Sequence, residues 1–249
     1  MSGHSKWASI KHKKAIVDAR RGQHFTKLAR AITVAAREGG GDPESNATLG
    51  NAVQKARDAS MPKDNIERAI AKGTGAGADG DFIVAVLYEG YGPGGVAVLV
   101  ETLTDNRNRT GSEVRHMFTK HGGSLGEPGS VAYLFEKTGV IIVEASAASE
   151  DDLLVSVEAG AQDVAVDDDV FEVLTAPGDL VTVRAALESS EIAISSAEVT
   201  FRPSSRVPLD EEVAAKLFRL LEALEENDDV NAVHANFEVS AEVLERVAS

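Results

Sequence analysis

The chain has 249 residues, 43% of them hydrophobic and 26% charged, with no cysteine and a formal net charge of −15. These figures exclude a disordered or fibrous chain, disulfides, zinc ribbons, iron–sulfur clusters and thiol nucleophiles, and they leave room for one to three domains with their own cores. The charge is unevenly spread. Residues 1–78 carry 14 basic and 7 acidic side chains, whereas residues 131–200 carry 2 basic and 15 acidic ones, a reversal that predicts separate domains with separate partners.

Near the start, Phe25, Leu28, Ile32, Ala35 and Ala36 recur at helical spacing until Gly39-Gly40-Gly41 stops the run. Leu49, Ala52, Val53 and Ala56 repeat the pattern, and Pro62 with Ile66, Ala69 and Ile70 predicts a third helix ended by Gly73. Residues 73–81, rich in Gly, Ala and Asp, read as a linker. Residues 82–88 and 95–104 are β-rich runs joined by a glycine-rich loop. Thr110, with Glu113 three residues on, predicts a capping box opening a helix that carries Val114, Met117 and Phe118 on one face.

Strands are expected at 131–136 and 139–144, then a capped helix around Ser149 to Val157 and short strands near 163–166 and 170–175. A helix from Pro177 to about Ser189 and a strand at 192–201 follow. Pro203 to Pro208 reads as a second linker, before an amphipathic helix from Asp210 to Glu226 and a last strand from Val230 to Phe237. The expected fold is α+β and multidomain: an N-terminal helical domain followed by two α/β-layer domains with mixed or antiparallel sheets.

Catalytic signatures are missing. The six histidines (4, 12, 24, 116, 121 and 234) form no HxH, HxxxH or HExxH pair. The loop Gly90-Tyr91-Gly92-Pro93-Gly94-Gly95 lacks the Gly-Lys-Ser/Thr ending of a P-loop and joins two strands, so a turn is expected there. The pairs Asp151-Asp152 and Asp228-Asp229 and the run Asp167 to Asp169 lack EF-hand spacing and read as turn and cap residues. No enzyme activity, cofactor or metal is expected. The longest apolar run, Phe82 to Tyr88, is seven residues, against the roughly 20 that cross a bilayer. The opening MSGHSKW lacks the apolar stretch of a secretion signal, so the expectation is a cytoplasmic protein with no membrane partner.

Two basic features stand out. Lys6, Trp7, Lys11, His12, Lys13 and Lys14, continued by Arg20, Arg21 and Lys27, form a cationic stretch suited to phosphates. Within it Trp7 is either a stacking platform for a base or an anchor to the helical domain. The second is Asn106-Arg107-Asn108-Arg109-Thr110 at a strand-to-helix junction, with Arg115 and Lys120 beyond it. Here the alternatives are phosphate contacts at a helix start, or turn residues with the arginines paired to acidic neighbours.

With these residues in view, the chain resembles the YebC family. The resemblance is carried by Gly3-His4-Ser5-Lys6-Trp7 with Ile10 to Lys14, by Met61 to Ile70 with Lys72 to Gly75, by Tyr88 to Gly95, by Thr104 to Thr110, and by Lys120 to Gly123 through Gly129-Ser130-Val131. It implies an N-terminal helical domain and two α/β domains, the middle one completed by the C-terminal segment. The boundaries expected are 1–78, then 79–130 joined by 204–249, with 131–203 as the acidic domain. The sequence departs from the family pattern at Asn231 and His234, where Gln and Tyr are expected. Family members are described either as DNA-binding transcriptional regulators or as ribosome-associated factors that ease translation through difficult stretches such as proline runs. The expectation is a non-enzymatic nucleic-acid-binding regulator acting on DNA, with ribosomal RNA or tRNA as the alternative target and a monomer as its oligomeric state.

Overall fold

The computed structural model describes residues 18–75, 83–167 and 169–248. Among the described residues three helices come first: α1 (Asp18–Gly39), α2 (Ala47–Asp58) and α3 (Lys63–Gly73). Their core is the one the spacing predicts, with Leu28, Ile32, Leu49, Val53, Ala56, Ile66 and Ala69 packed together. Asn46 joins the first two. Its Oδ1 accepts the Leu49 amide at 3.1 Å, capping α2, while its Nδ2 donates to the Ala35 and Gly40 carbonyls where α1 ends. One side-chain amide therefore satisfies groups that both helix termini leave open.

The middle sheet has the order β3-β1-β2-β9, from β1 (Val84–Tyr91), β2 (Ala97–Thr104), β3 (Ser124–Leu125) and β9 (Val230–Ala235). Every pairing in it is antiparallel. β9 comes from the C-terminal segment, so the last part of the chain completes a sheet begun about 130 residues earlier. α4 (Arg107–Lys120) and α7 (Glu211–Glu226) cover one face, burying Val98, Val100, Val114, Phe118, Leu217 and Leu221 together. The opposite face presents Ala97 and Leu99 to Val131, Phe135 and Phe201.

The β1–β2 loop is a turn, tightened by a short 3₁₀ segment from Pro93 to Gly95. Gly94 takes a φ of 76°, and a Cβ on it would lie 2.8 Å from Val213 of α7. The glycines let backbone approach that helix closely.

The second sheet, β5-β6-β4-β7, is also wholly antiparallel. Its strands are β4 (Phe135–Glu144), β5 (Asp163–Asp167), β6 (Val170–Thr175) and β7 (Ser196–Pro203). Helices α5 (Leu154–Glu158) and α6 (Leu180–Ser189) lie on one face over Ile141, Val143, Phe171 and Val173.

Several expectations are corrected. The strands expected at 131–136 and 139–144 are one strand: residues 132–134 form a 3₁₀ turn, and Lys137, Thr138 and Gly139 continue the ladder with β7 instead of turning. α4 begins at Arg107 with Asn106 as its cap, not at Thr110. The strand expected from 192 starts at Ser196, because Ile192 dips into the core after Glu191 adopts a φ of 59°. The Pro203–Pro208 linker carries β8 (Val207–Pro208), which pairs in parallel with β10 (Phe237–Glu238). A final helix, α8 (Ala241–Ala248), was not anticipated.

Candidate nucleic-acid interface

The loop from Thr104 to Thr110 is built around a carboxylate from the far end of the chain. Asp229, at the entry to β9 and nearly fully buried, accepts Arg109 Nη2 at 2.7 Å and Thr110 Oγ1 at 2.7 Å. Thr104 Oγ1 lies 3.3 Å from the same Oδ2, and Arg30 of α1 reaches Oδ1 at 3.0 Å. Asn106 caps α4 by accepting the Arg109 amide, and Thr110 also donates back to the Asn106 carbonyl. Arg109 closes the arrangement with a second ion pair to Asp105 at 2.8 Å. The pairings with Asp229 and Asp105 raise the pKa of Arg109 further, so it is held as a cation.

Three residues of the basic loop thus act within the fold. Asn106 holds the helix start, Thr110 is buried, and Arg109 belongs to the Asp229 cluster. Lys27 is similar: its ammonium donates to the Glu225 carbonyl at 2.6 Å at the end of α7. Gln23, one turn earlier on α1, reaches the Glu226 carbonyl at 2.9 Å and Asp228 at 2.6 Å. A cation there complements the dipole at the C-terminus of α7 and, with Arg30, fastens the helical domain to the 225–229 turn.

Arg107, Asn108, Arg115 and Lys120 are exposed. Asn108, Ser112, Arg115 and Thr119 recur at three- and four-residue spacing opposite the buried Thr110, Val114 and Phe118, with His116 and Lys120 beside them. This outward stripe has no carboxylate: Glu113 lies toward α7, where it accepts a hydrogen bond from Asn227 at 2.8 Å. At its C-terminal end, His121 is held below the ordinary histidine range by burial and by the charges of Lys120, Arg219 and His116. Ser112 and Thr119 donate their hydroxyl protons to the Asn108 and Arg115 carbonyls, so the stripe offers the Asn108 amide and the Arg115 and Lys120 cations, a set that suits a phosphate backbone. Ser112, His116, Thr119 and Arg219 were not singled out from sequence, although the 108–112–115–119 spacing was there to be read.

Lys6, Trp7, Lys11, His12, Lys13 and Lys14 lie outside the described residues, and Arg20 and Arg21 fall in the first turn of α1. Among the described residues, no three or more His, Asp or Glu side chains converge in the manner of a metal centre. No helix among them is long and apolar enough to cross a membrane.

His234, one of the departures from the family pattern, is buried where the two sheets meet. Its Nε2 lies 2.7 Å from Glu101 of β2, its Nδ1 3.3 Å from Thr200 of β7, and its ring stands edge-on to Phe201. Lys55 of α2 pairs with Glu198 of β7 at 2.6 Å, and Asp58 takes both guanidinium nitrogens of Arg184 from α6.

Four buried or ion-paired carboxylates titrate below their usual range. Burial pushes each one up, but is outweighed by the Gly129, Val131 and Ala132 amides at Glu89, by His234 and then Lys137 and Lys55 at Glu101, by Arg109, Thr110 and Arg30 at Asp229, and by Arg184 and Gln54 at Asp58. Carboxylates with lowered folded pKa values contribute stability above their unfolded values of about 4, and that stability is lost as pH falls through the folded ones. Unfolding free energy from urea titrations should therefore hold steady from pH 7 to about 5 and drop steeply below about 4. A flat profile down to pH 3 would contradict these networks.

Residues 5–76 match the family model described as the TACO1/YebC protein N-terminal domain, and residues 83–237 match that of the TACO1/YebC second and third domain. A protein of Rubrobacter xylanophilus named "Probable transcriptional regulatory protein" is 56% identical over 249 residues, covering all of both chains. One of the same name from Acidothermus cellulolyticus is 56% identical over 248 residues, covering 99% of this chain and 100% of that one. The crystal structure of a conserved hypothetical protein from Aquifex aeolicus superposes with a TM-score of 0.83 at 53% identity, covering 96% of this chain and 99% of the other.

Proposed function

The chain belongs to the TACO1/YebC family, and from that premise we propose that it is a non-catalytic, nucleic-acid-binding regulator that acts on DNA in transcription, in the cytoplasm and as a monomer. The observation that carries the reading is the carboxylate-free outer stripe of α4, where Asn108, Arg115 and Lys120 stand exposed, with Arg107 exposed at the start of the same helix, on an otherwise acidic protein. The printed names of the relatives support the regulatory half of it. The second contact is the cationic stretch from Lys6 to Arg21, in which an indole at Trp7 is of a type that stacks on a base. Contacts to phosphate give affinity with little sequence preference, so any target choice must come from elsewhere in the complex.

Ultraviolet crosslinking in living cells, followed by sequencing of the attached nucleic acid, tests this directly. Enrichment of a few promoter segments is the expected result. Crosslinks concentrated in ribosomal RNA would replace DNA with the ribosome and make the protein a translation factor. In vitro, each phosphate contact contributes about 0.9 to the slope of log K against log salt on duplex DNA. Replacing Arg107, Arg115 and Lys120 together with alanine should flatten that slope by about 2–3 units, as should replacing Lys11, Lys13 and Lys14. An unchanged slope in the first triple variant removes α4 from the interface.

A further inference from the structure

We propose that the outward face of α5 and α6 is a docking surface for a basic protein segment bearing apolar side chains. This goes beyond the nucleic-acid reading and stands independently of it. The two helices pack against each other on one face of the second sheet, with Leu153, Leu180, Val183 and Leu187 turned into its core. Val155 packs partly against that core, whereas Leu154 is 58% exposed, Val157 50% and Val181 50%. Single exposed apolar residues are ordinary on a soluble protein, but three on adjoining surfaces of two short helices are what a partner would cover.

The charge around them selects the partner. Glu150, Asp151, Asp152, Glu158 and Asp179 flank these helices and are all exposed. The stretch 131–200 has 15 acidic residues and only two bases of its own, Lys137 and Arg184, while Lys55 and Arg202 from outside it pair with Glu198 and Glu172, away from these helices. Arg184 is already committed to Asp58 and Glu188, and Lys137 lies 5.9 Å from the Phe201 ring centroid. A nucleic acid or an anionic membrane is repelled by such a surface. A Lys/Arg-rich segment is drawn to it, and apolar side chains on that segment cover Leu154, Val157 and Val181. The acidic rim speeds encounter, and the apolar centre makes part of the binding insensitive to salt.

The test uses the full chain and a fluorescent 18-residue peptide of Leu and Lys in helical order, with a second peptide in which every Leu is Ser. The intact protein should bind the Leu/Lys peptide at least tenfold more tightly than the Ser/Lys peptide. Amide-exchange protection should fall on residues 150–160 and 179–188. The variant L154S/V157S/V181S should lose at least tenfold while keeping its melting temperature within about 2 °C, and E150Q/D151N/E158Q should lose the salt-dependent part of the affinity. Equal binding of the two peptides, binding by the apolar variant within twofold of the parent, protection confined to other surfaces, or no binding overturns the proposal.

Discussion

Replacing Asp229 with alanine should lower the unfolding free energy by about 3–5 kcal/mol, the range seen when one partner of a buried ion pair is removed. The carboxylate is nearly fully buried and serves Arg30, Arg109, Thr104 and Thr110 at once. Without it, Arg109 keeps only its more exposed partners Asp105 at 2.8 Å and Glu113 at 4.0 Å, and two threonine hydroxyls buried with it lose an acceptor. For a chain of this length 1 kcal/mol corresponds to about 2–4 °C, so a melt should shift down by about 6–20 °C. Asp229→Asn separates charge from shape. Its carbonyl oxygen can still accept from Arg109, but its amide meets the donor on Arg30, so it should recover less than half of the loss. The effect should reach binding too, because freeing the 104–110 loop unsettles the start of α4 and the outer stripe that helix carries. A variant within 1 kcal/mol of the parent would show that the cluster is incidental to stability.

The same cluster explains what could and could not be read from sequence. Helices α1 to α3 and α7 were legible because one face of each is buried, so Leu28-Ile32 or Leu217-Leu221-Leu224 recur at the helical period. The start of α4 was misread. Thr110 and Glu113 satisfy the capping-box pattern, but Asn106 takes that role because Thr110 is needed by Asp229, 119 residues away in sequence. β8 and β10 were invisible as two-residue strands, since each exists only because the other lies alongside it. β4 was split at Lys137-Thr138 because those polar residues, followed by a glycine, interrupt the apolar pattern. In the fold Gly139 instead faces Thr175 across the ladder, with no room for a side chain.

For the candidate interface, composition located the basic loop, but it could not divide its members. Arg109 and Arg115 are equivalent in a list of charges. Only the return of the chain at Asp229 ties one into an ion-pair cluster, though its side chain stays 45% exposed, and leaves the other outside it. Lys27 belongs to the same lesson, because its acceptor is a carbonyl at the far end of α7, 198 residues on.

Glu89→Ala should cost about as much as the loss of Asp229, for a different reason. Glu89 is buried on β1, and its carboxylate accepts three backbone amides: Gly129 at 2.6 Å, Val131 at 2.7 Å and Ala132 at 2.7 Å. Hydrogen bonds to a charged acceptor are worth about 1.5–3 kcal/mol each, and a buried amide left without one adds a desolvation penalty. A loss of about 3–5 kcal/mol is the expected result even if the loop relaxes. Those amides begin the segment that leaves the middle sheet, places Val131 and Phe135 against Ala97 and Leu99, and continues as β4. Glu89 therefore anchors the connection through which the second sheet is positioned on the middle one. Glu89→Gln should rescue poorly, because its amide group would confront at least one of three N–H donors with another donor. Amide exchange at Gly129, Val131 and Ala132 distinguishes this account from general destabilisation. In Glu89→Ala these three sites should lose protection more than the β1–β2 ladder does. If all amides lose protection equally, Glu89 is only one more core contact; if the three stay protected, the carboxylate does not hold the segment.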